Sequence, residues 1–266
     1  MSLRDKTVSS MFWTFSEQFG SKGINFIISI VLARVLLPEE FGLIGMIAVF
    51  IGIGNSLVDS GMSSSLIRTK NPDNEDYSSV FLINIVASVF IYLIIYFAAP
   101  AIANFYGNEI LIPIIRVYSI TIIIRALVTI QITRLTKEMN FKVQMIIRIP
   151  SIIFGGIIGV SLALSGWGVW SLVYMAIAES IISTIQYWYY SGWRPELIIN
   201  RSTLFSNFNF GYKLTLSGLL HTVFTNIYNI LIGRFFSPAQ VGFYTRAYDT
   251  QMYPANSLSG ALNKVT

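Results

Sequence analysis

Arg34-Val35-Leu36-Leu37-Pro38-Glu39-Glu40-Phe41-Gly42 returns near the end of the chain as Arg234-Phe235-Phe236-Ser237-Pro238-Ala239-Gln240-Val241-Gly242, shifted by 200 positions. In both copies Arg closes a long apolar segment, Pro follows four residues later, and Gly opens the next apolar segment. Proline at such a point ends one helix and starts another, because its ring blocks a helix interior but suits a first turn. Repeats of this length build many secondary transporters as two homologous helix bundles around a central site. A full bundle of helices follows the first copy and barely one helix follows the second. The chain therefore reads as one complete lobe and the opening of its twin.

Composition supports a membrane protein. A hydrophobic fraction of 54% with only 12% charged residues lies far from a soluble domain, where charge is about 25%. The mean hydropathy is +0.63. With no Cys, disulfides, thiolate metal sites and cysteine nucleophiles are excluded, and the single His221 leaves no multi-histidine metal site. No G-x-x-x-x-G-K-[ST] run is present to cradle nucleotide phosphates. Neither cofactor nor metal is expected. Glu17 and Lys22 interrupt the first apolar run and no small-residue cleavage site follows it, so the N-terminus reads as a retained membrane helix.

Apolar windows of roughly 20 residues, enough to cross a bilayer, recur with short polar breaks. The expected spans are 9–36, 41–67, 77–99, 109–134, 143–164, 167–191, 208–235 and 240–262. The fold class is thus an all-α polytopic membrane protein with about eight transmembrane helices. Residues 1–191 form a six-helix lobe, 192–207 a connector, and 208–266 the first helices of a second lobe. The last span is the weakest, because Arg246 and Asp249 sit in it. Pro195 to Ile199 in the connector is expected to lie along the membrane surface as a short amphipathic piece. Gly155 and Gly159 have the G-x-x-x-G spacing that lets two helix backbones approach closely.

Orientation follows from the loop charges. Arg4 and Lys6, Arg68 and Lys70, Arg134 and Lys137, then Arg194 and Arg201 fall in one set of loops. Glu39, Glu40 and Glu109 fall in the alternate set. The N-terminus and the connector are expected to be cytoplasmic, in a bacterial cytoplasmic membrane.

Polar residues inside spans are costly and face a cavity or a partner. The first span carries Thr14, Gln18, Ser21, Lys22, Asn25 and Ser29 on one face. The seventh carries Lys213, Ser217, His221, Thr225 and Asn229, each four apart. Under the 200-residue offset, Ser21, Asn25 and Ser29 fall on His221, Thr225 and Asn229, so two repeat-related helices are expected to face a shared cavity. Asp59 in the second span can neutralise Lys22 or hold a proton or cation. Arg125, deep in the fourth span, is a better cavity residue than Arg116, which can snorkel. Helix-to-helix hydrogen bonding is the competing reading of these stripes. The candidate cavity set is Gln18, Lys22, Asn25, Asp59, Arg125, Lys213, His221, Thr225 and Asn229. Its cationic excess favours an anionic group such as a pyrophosphate.

Several stretches carry a resemblance. They are Ser2-Leu3-Arg4-Asp5-Lys6-Thr7-Val8, the Leu32-Ala33-Arg34 to Phe41-Gly42 turn, Val58-Asp59-Ser60-Gly61-Met62, Arg134-Leu135 to Phe141-Lys142, and Gly242-Phe243-Tyr244-Thr245-Arg246-Ala247-Tyr248. Together they resemble the polysaccharide-transporter branch of the multidrug/oligosaccharidyl-lipid/polysaccharide exporter superfamily, in particular flippases of O-antigen, colanic-acid and teichuronic-acid type. The resemblance implies two six-helix lobes around a V-shaped cavity with alternating access. It implies a polyprenyl-pyrophosphate-linked oligosaccharide as cargo, membrane lipid around it, and polysaccharide polymerase machinery as a further partner. Nucleic acid is not among the partners. Members carry a full second lobe, so this chain alone is expected not to transport. Competing readings are a multidrug antiporter of the same superfamily, a membrane enzyme of polysaccharide assembly, and a non-transporting scaffold.

Overall fold

Both copies of the turn adopt the same hydrogen bonds. Leu36 N–H donates to the Leu32 carbonyl at 2.8 Å and Phe236 N–H to the Ile232 carbonyl at 2.9 Å. Glu40 and Gln240 then donate to the carbonyls of Leu37 and Ser237, each at 3.0 Å. In the first copy the Glu40 carboxylate also accepts the Leu37 N–H at 2.8 Å, capping the new helix. The repeat is therefore structural as well as sequential.

The computed structural model describes the backbone of residues 3–198 and 200–263, and side chains within 12–198, 200 and 211–252. Among the described residues every regular element is helical. In chain order they are α1 (Leu3–Val35), α2 (Pro38–Asp59), α3 (Met62–Arg68), α4 (Asn74–Tyr106), α5 (Leu111–Tyr118), α6 (Ile120–Ala126), α7 (Thr129–Lys137), α8 (Phe141–Leu164) and α9 (Val169–Tyr190). Then follow α10 (Arg201–Phe235) and α11 (Pro238–Asn263). The chain is an all-α polytopic membrane protein.

Every expected span maps onto helix, with two corrections. The span 41–67 is broken at Ser60 and Gly61, both left-handed (φ 45° and 66°), and continues as α3. The span 109–134 is split into α5, α6 and α7, and bends by 43° between α6 and α7. Length and apolarity alone qualify α2, α4, α8 and α9 as membrane spans, with the bent α5–α7 run as a fifth among the described residues. At 33 and 35 residues, α1 and α10 are at least as long as any of these four. What keeps them from qualifying is the polar stripe each carries.

The other boundaries show the local chemistry that sets them. Asp73 caps α4 by accepting the Asp76 N–H at 2.8 Å, while the Asp76 carboxylate accepts the Asp73 N–H at 3.1 Å. Gly107 ends α4 in the left-handed conformation at φ 67°. Residues 195–198 form no regular element, and α10 begins at Arg201, inside the expected connector. Residues 193–200 instead run as a strap along the first turn of α4. Trp193 Nε1 donates to Asn74 Oδ1 at 2.6 Å, and Asn74 Nδ2 donates to the Glu196 carboxylate. The backbone N–H groups of Glu196 and Asn200 donate to Ser78 Oγ at 3.0 Å and Ser79 Oγ at 2.8 Å. Backbone donors near a bilayer need such partners, and α4 supplies them better than lipid headgroups would. Ile199 lies outside the described residues.

Small residues set the packing, as expected where lipid removes the hydrophobic drive for helix association. A Cβ on Gly155 would stand 2.9 Å from the Glu179 Cβ, and one on Gly159 would stand 2.8 Å from the Met175 Cβ, so the G-x-x-x-G face does seat α9 on α8. A second seam runs along α2. Gly42 lies against Pro238 and Gly242, Gly45 against Thr245, Gly52 against Thr222, and Gly61 against Gly211. The approach of Gly42 and Gly242 is reciprocal, each abutting the other's turn through backbone atoms. α2 and α11 thus meet across a pseudo-two-fold axis, and the flanking pairs α1·α11 and α2·α10 repeat that relation. α2 is the most buried of the apolar spans, with Leu43, Met46, Ile47 and Ile51 in the main core.

Candidate functional site

The packing of α2, α9, α10 and α11 leaves a cavity of about 400 Å³ between the two repeats. Its α10 wall carries Thr225, Asn226 and Asn229, and its α11 wall carries Tyr244, Thr245, Arg246, Tyr248 and Asp249. A short relay orders the amides. Thr245 Oγ1 donates to Asn229 Oδ1 at 3.3 Å, Asn229 Nδ2 to Asn226 Oδ1 at 3.5 Å, and Asn226 Nδ2 to the Thr222 carbonyl at 2.9 Å. Arg246 Nη1 donates to Ser29 Oγ at 2.8 Å, and its guanidinium lies 3.8 Å from the centre of the Phe41 ring. The hydroxyl of Ser29 and the face of Phe41 help hold the guanidinium in place. Among the described residues it is the one cation that lines the cavity, with Asp249 three positions further along α11.

Of the sequence candidates, the structure brings only Thr225 and Asn229 to this cavity. Asp59 and Arg125 meet in a second space of about 500 Å³ among α2, α3, α6 and α7, with Asn55, Ser63, Thr129 and Thr133. Asp59 accepts a hydrogen bond from Ser63 Oγ. Arg125 also borders a third, smaller space of about 180 Å³ with Arg148, Glu179 and Tyr187. Its charge acts on both Asp59 and Glu179.

The expected pairing of Asp59 with Lys22 is not formed. α1 packs mainly on α8 and α11, so the charge facing Lys22 is Arg148, while the cation facing Asp59 is Arg125. α1 and α2 are adjacent in sequence but do not pack along each other, and that defeats the pairing. Part of the α1 stripe serves packing instead. Thr14, Glu17 and Ser21 are buried, and the Glu17 carboxylate pairs with Arg148 Nε at 3.4 Å. Gln18, Lys22 and Asn25 are half-buried and border none of these three spaces. Lys213 and His221 are exposed, with Lys213 beside the Tyr212 ring at 5.9 Å. Arg116 is occupied by α4: its Nε donates to the Tyr96 carbonyl at 3.4 Å, and its guanidinium lies 4.3 Å from that ring's centre.

Arg246 is the cavity residue that sequence reasoning passed over. Charge inside the last span made that span look weak, and the 200-residue offset aligns Arg246 with the apolar Met46. The signal that could have found it is the same oddity read the other way, since an ionisable residue inside a membrane span is functional by default.

Fold and site define a repeat-built helical membrane protein with a polar cavity at the repeat interface. The chain belongs to the family described as polysaccharide biosynthesis protein, whose profile matches residues 31–266. It is 24% identical to the lipopolysaccharide biosynthesis protein WzxC of Escherichia coli (strain K12) over 100% of this chain and 54% of the relative. It is 23% identical to the succinoglycan biosynthesis transport protein ExoT of Rhizobium meliloti over 91% of this chain and 49% of that one. With the teichuronic acid biosynthesis protein TuaB of Bacillus subtilis it shares 25% identity over 79% of this chain and 44% of the relative. The chain thus spans about half the length of the curated relatives it matches. Among solved structures it is similar in fold to the MATE multidrug transporter DinF-BH, with a TM-score of 0.66 at 14% identity, covering 99% of this chain and 65% of that one.

Proposed function

We propose that the protein is a flippase that moves a polyprenyl-pyrophosphate-linked oligosaccharide across the cytoplasmic membrane by alternating access, for surface-polysaccharide synthesis. The observation that carries this reading is the polar cavity between the repeats, with Arg246 anchored on Ser29 and Phe41, in a chain of a polysaccharide-biosynthesis family. A guanidinium is suited to a diphosphate because its planar fork matches two phosphate oxygens at once. The reciprocal contact of the Pro38 and Pro238 turns supplies two bodies that can rock about a shared axis. The charge bias of the loops supports a cytoplasmic N-terminus, with those two turns on the outer side.

The test is deletion of the intact chromosomal gene, followed by measurement of lipid-linked oligosaccharide and surface polymer. Loss of surface polymer with accumulation of the lipid-linked precursor on the cytoplasmic leaflet is expected. Asp249 in the same cavity gives a second reading, export of cationic drugs. Under that reading the deletion lowers resistance to such drugs and leaves surface polymer unchanged.

A further inference from the structure

Three tyrosines run along the α10–α11 side of the inter-repeat cavity. Tyr244 and Tyr248, one turn apart on α11, stack with ring centres 6.0 Å apart and planes 20° apart. Tyr228 of α10 extends the row, 5.7 Å from Tyr244 at 45°. Tyr244 and Tyr248 are half-buried and border the cavity, and Tyr228 is 59% exposed. Their position is not that of an interfacial aromatic belt. Tyr244 and Tyr248 lie six and ten residues beyond Pro238, where α11 starts, and thus roughly 9–15 Å along the helix from its end.

The surroundings select among the parts of a lipid-linked oligosaccharide. A hydrocarbon tail needs an apolar wall, such as the shallow groove between α8 and α9, whose lining of Ile158, Leu162, Ile177 and Ile181 with two aromatic rings offers no polar area. The tyrosine row is instead interleaved with Thr225, Asn226, Asn229 and Asp249. A diphosphate needs cations, and among the described residues Arg246 is the one cation lining this cavity, with Asp249 close by. A sugar ring has apolar C–H faces and a rim of hydroxyls. The first suits an aromatic face, and the second suits amide and carboxylate acceptors.

We infer that Tyr244 and Tyr248, extended by Tyr228, form a carbohydrate-stacking platform that holds sugar rings of the cargo, with Asn226, Asn229 and Asp249 receiving their hydroxyls. The inference rests on the flippase reading and adds the glycan subsite to it. Arg246 then holds the charged linkage beside the platform, so one cavity reads both parts of the head group.

The test uses the protein expressed from its own gene and reconstituted in lipid nanodiscs. The probes are inorganic pyrophosphate and phosphate-free oligosaccharide released from the strain's own surface polymer. Saturation-transfer NMR reads sugar C–H contact and affinity, and titration reads pyrophosphate binding. The native protein is expected to bind both. Y244F/Y248F retains oligosaccharide affinity within about twofold, because the ring faces remain. Y244A/Y248A loses about tenfold in oligosaccharide affinity and keeps its pyrophosphate binding, which also shows that it is folded. R246A shows the opposite pattern. Unchanged oligosaccharide binding in Y244A/Y248A overturns the platform, as does native protein that binds pyrophosphate but no oligosaccharide; in both cases the flippase reading stands. Native protein that binds neither probe overturns both.

Discussion

Adding one methyl group at Gly42 tests the geometry that joins the repeats. A Cβ there would overlap the Pro238 carbonyl and stand 3.1 Å from the Gly242 nitrogen. The reciprocal Cβ on Gly242 would overlap the Pro38 carbonyl and stand 3.2 Å from the Gly42 nitrogen. These obstacles are backbone atoms, so no change of rotamer relieves them and α2 must separate from α11. Restoring ordinary contact requires a shift on the order of 1–2 Å. Overpacking of this kind costs about 1–3 kcal/mol. At roughly 2–4 °C per kcal/mol for a chain of this size, Gly42→Ala should lower the melting temperature in nanodiscs by about 2–12 °C. Gly23→Ala is the control, because nothing lies within 4 Å of its Cβ position. It should be neutral or stabilise by up to about 1 kcal/mol, as a helix-interior glycine replaced by alanine.

The absence of native cysteine permits a distance readout with spin labels at Leu37 and Ser237, both exposed. Gly42→Ala should lengthen that distance, and G42A/G242A should be less damaging than the two singles combined, because the second methyl enters a gap the first has opened. A variant that melts with the native protein and keeps its label distance would refute the close approach of the repeats.

Three further outcomes follow from contacts away from the inter-repeat cavity. Arg148→Met removes the cation paired with buried Glu17 and should cost about 1–3 kcal/mol in thermal unfolding, most of it recovered by adding Glu17→Gln. Lys137 Nζ donates to the carbonyls of Leu66 at 3.1 Å, Ile67 at 2.8 Å and Thr69, closing the end of α3; Lys137→Met should cost about 1 kcal/mol and speed amide exchange in the turn after Arg68. Asn74→Ala removes the partner of both Trp193 and Glu196, so proteolytic cleavage of the 191–200 strap should accelerate while the helices stay protected.

Much of the fold was legible because membrane spans are written as apolar length, and because the Arg-to-Gly turn was copied with its hydrogen bonds. The breaks within spans were harder to see. Ser60-Gly61 lies among Asp59, Ser63, Ser64 and Ser65, in a polar patch like those that unbroken spans also carry, and the α6–α7 bend at Leu127 and Val128 carries no proline or glycine at all. Gly61 turns where it lies against Gly211, and hydropathy is blind to such contacts. The site was half legible. Thr225 and Asn229 stood out by their spacing of four and do reach the inter-repeat cavity. Lys22 and Asp59 were paired by chain adjacency, which fails where α1 packs on α8. Arg246 and the tyrosine row needed three dimensions, because their significance lies in what α2 and α10 place opposite them.

The central claim, that the cavity between the repeats carries the lipid-linked cargo, is most directly tested by the leaflet distribution of that lipid in cells whose chromosomal gene encodes Arg246→Ala. If Arg246 holds the cargo's diphosphate, the lipid-linked oligosaccharide stays on the cytoplasmic leaflet while the protein's membrane level is unchanged. An outer-leaflet amount equal to that of the native strain would contradict the claim.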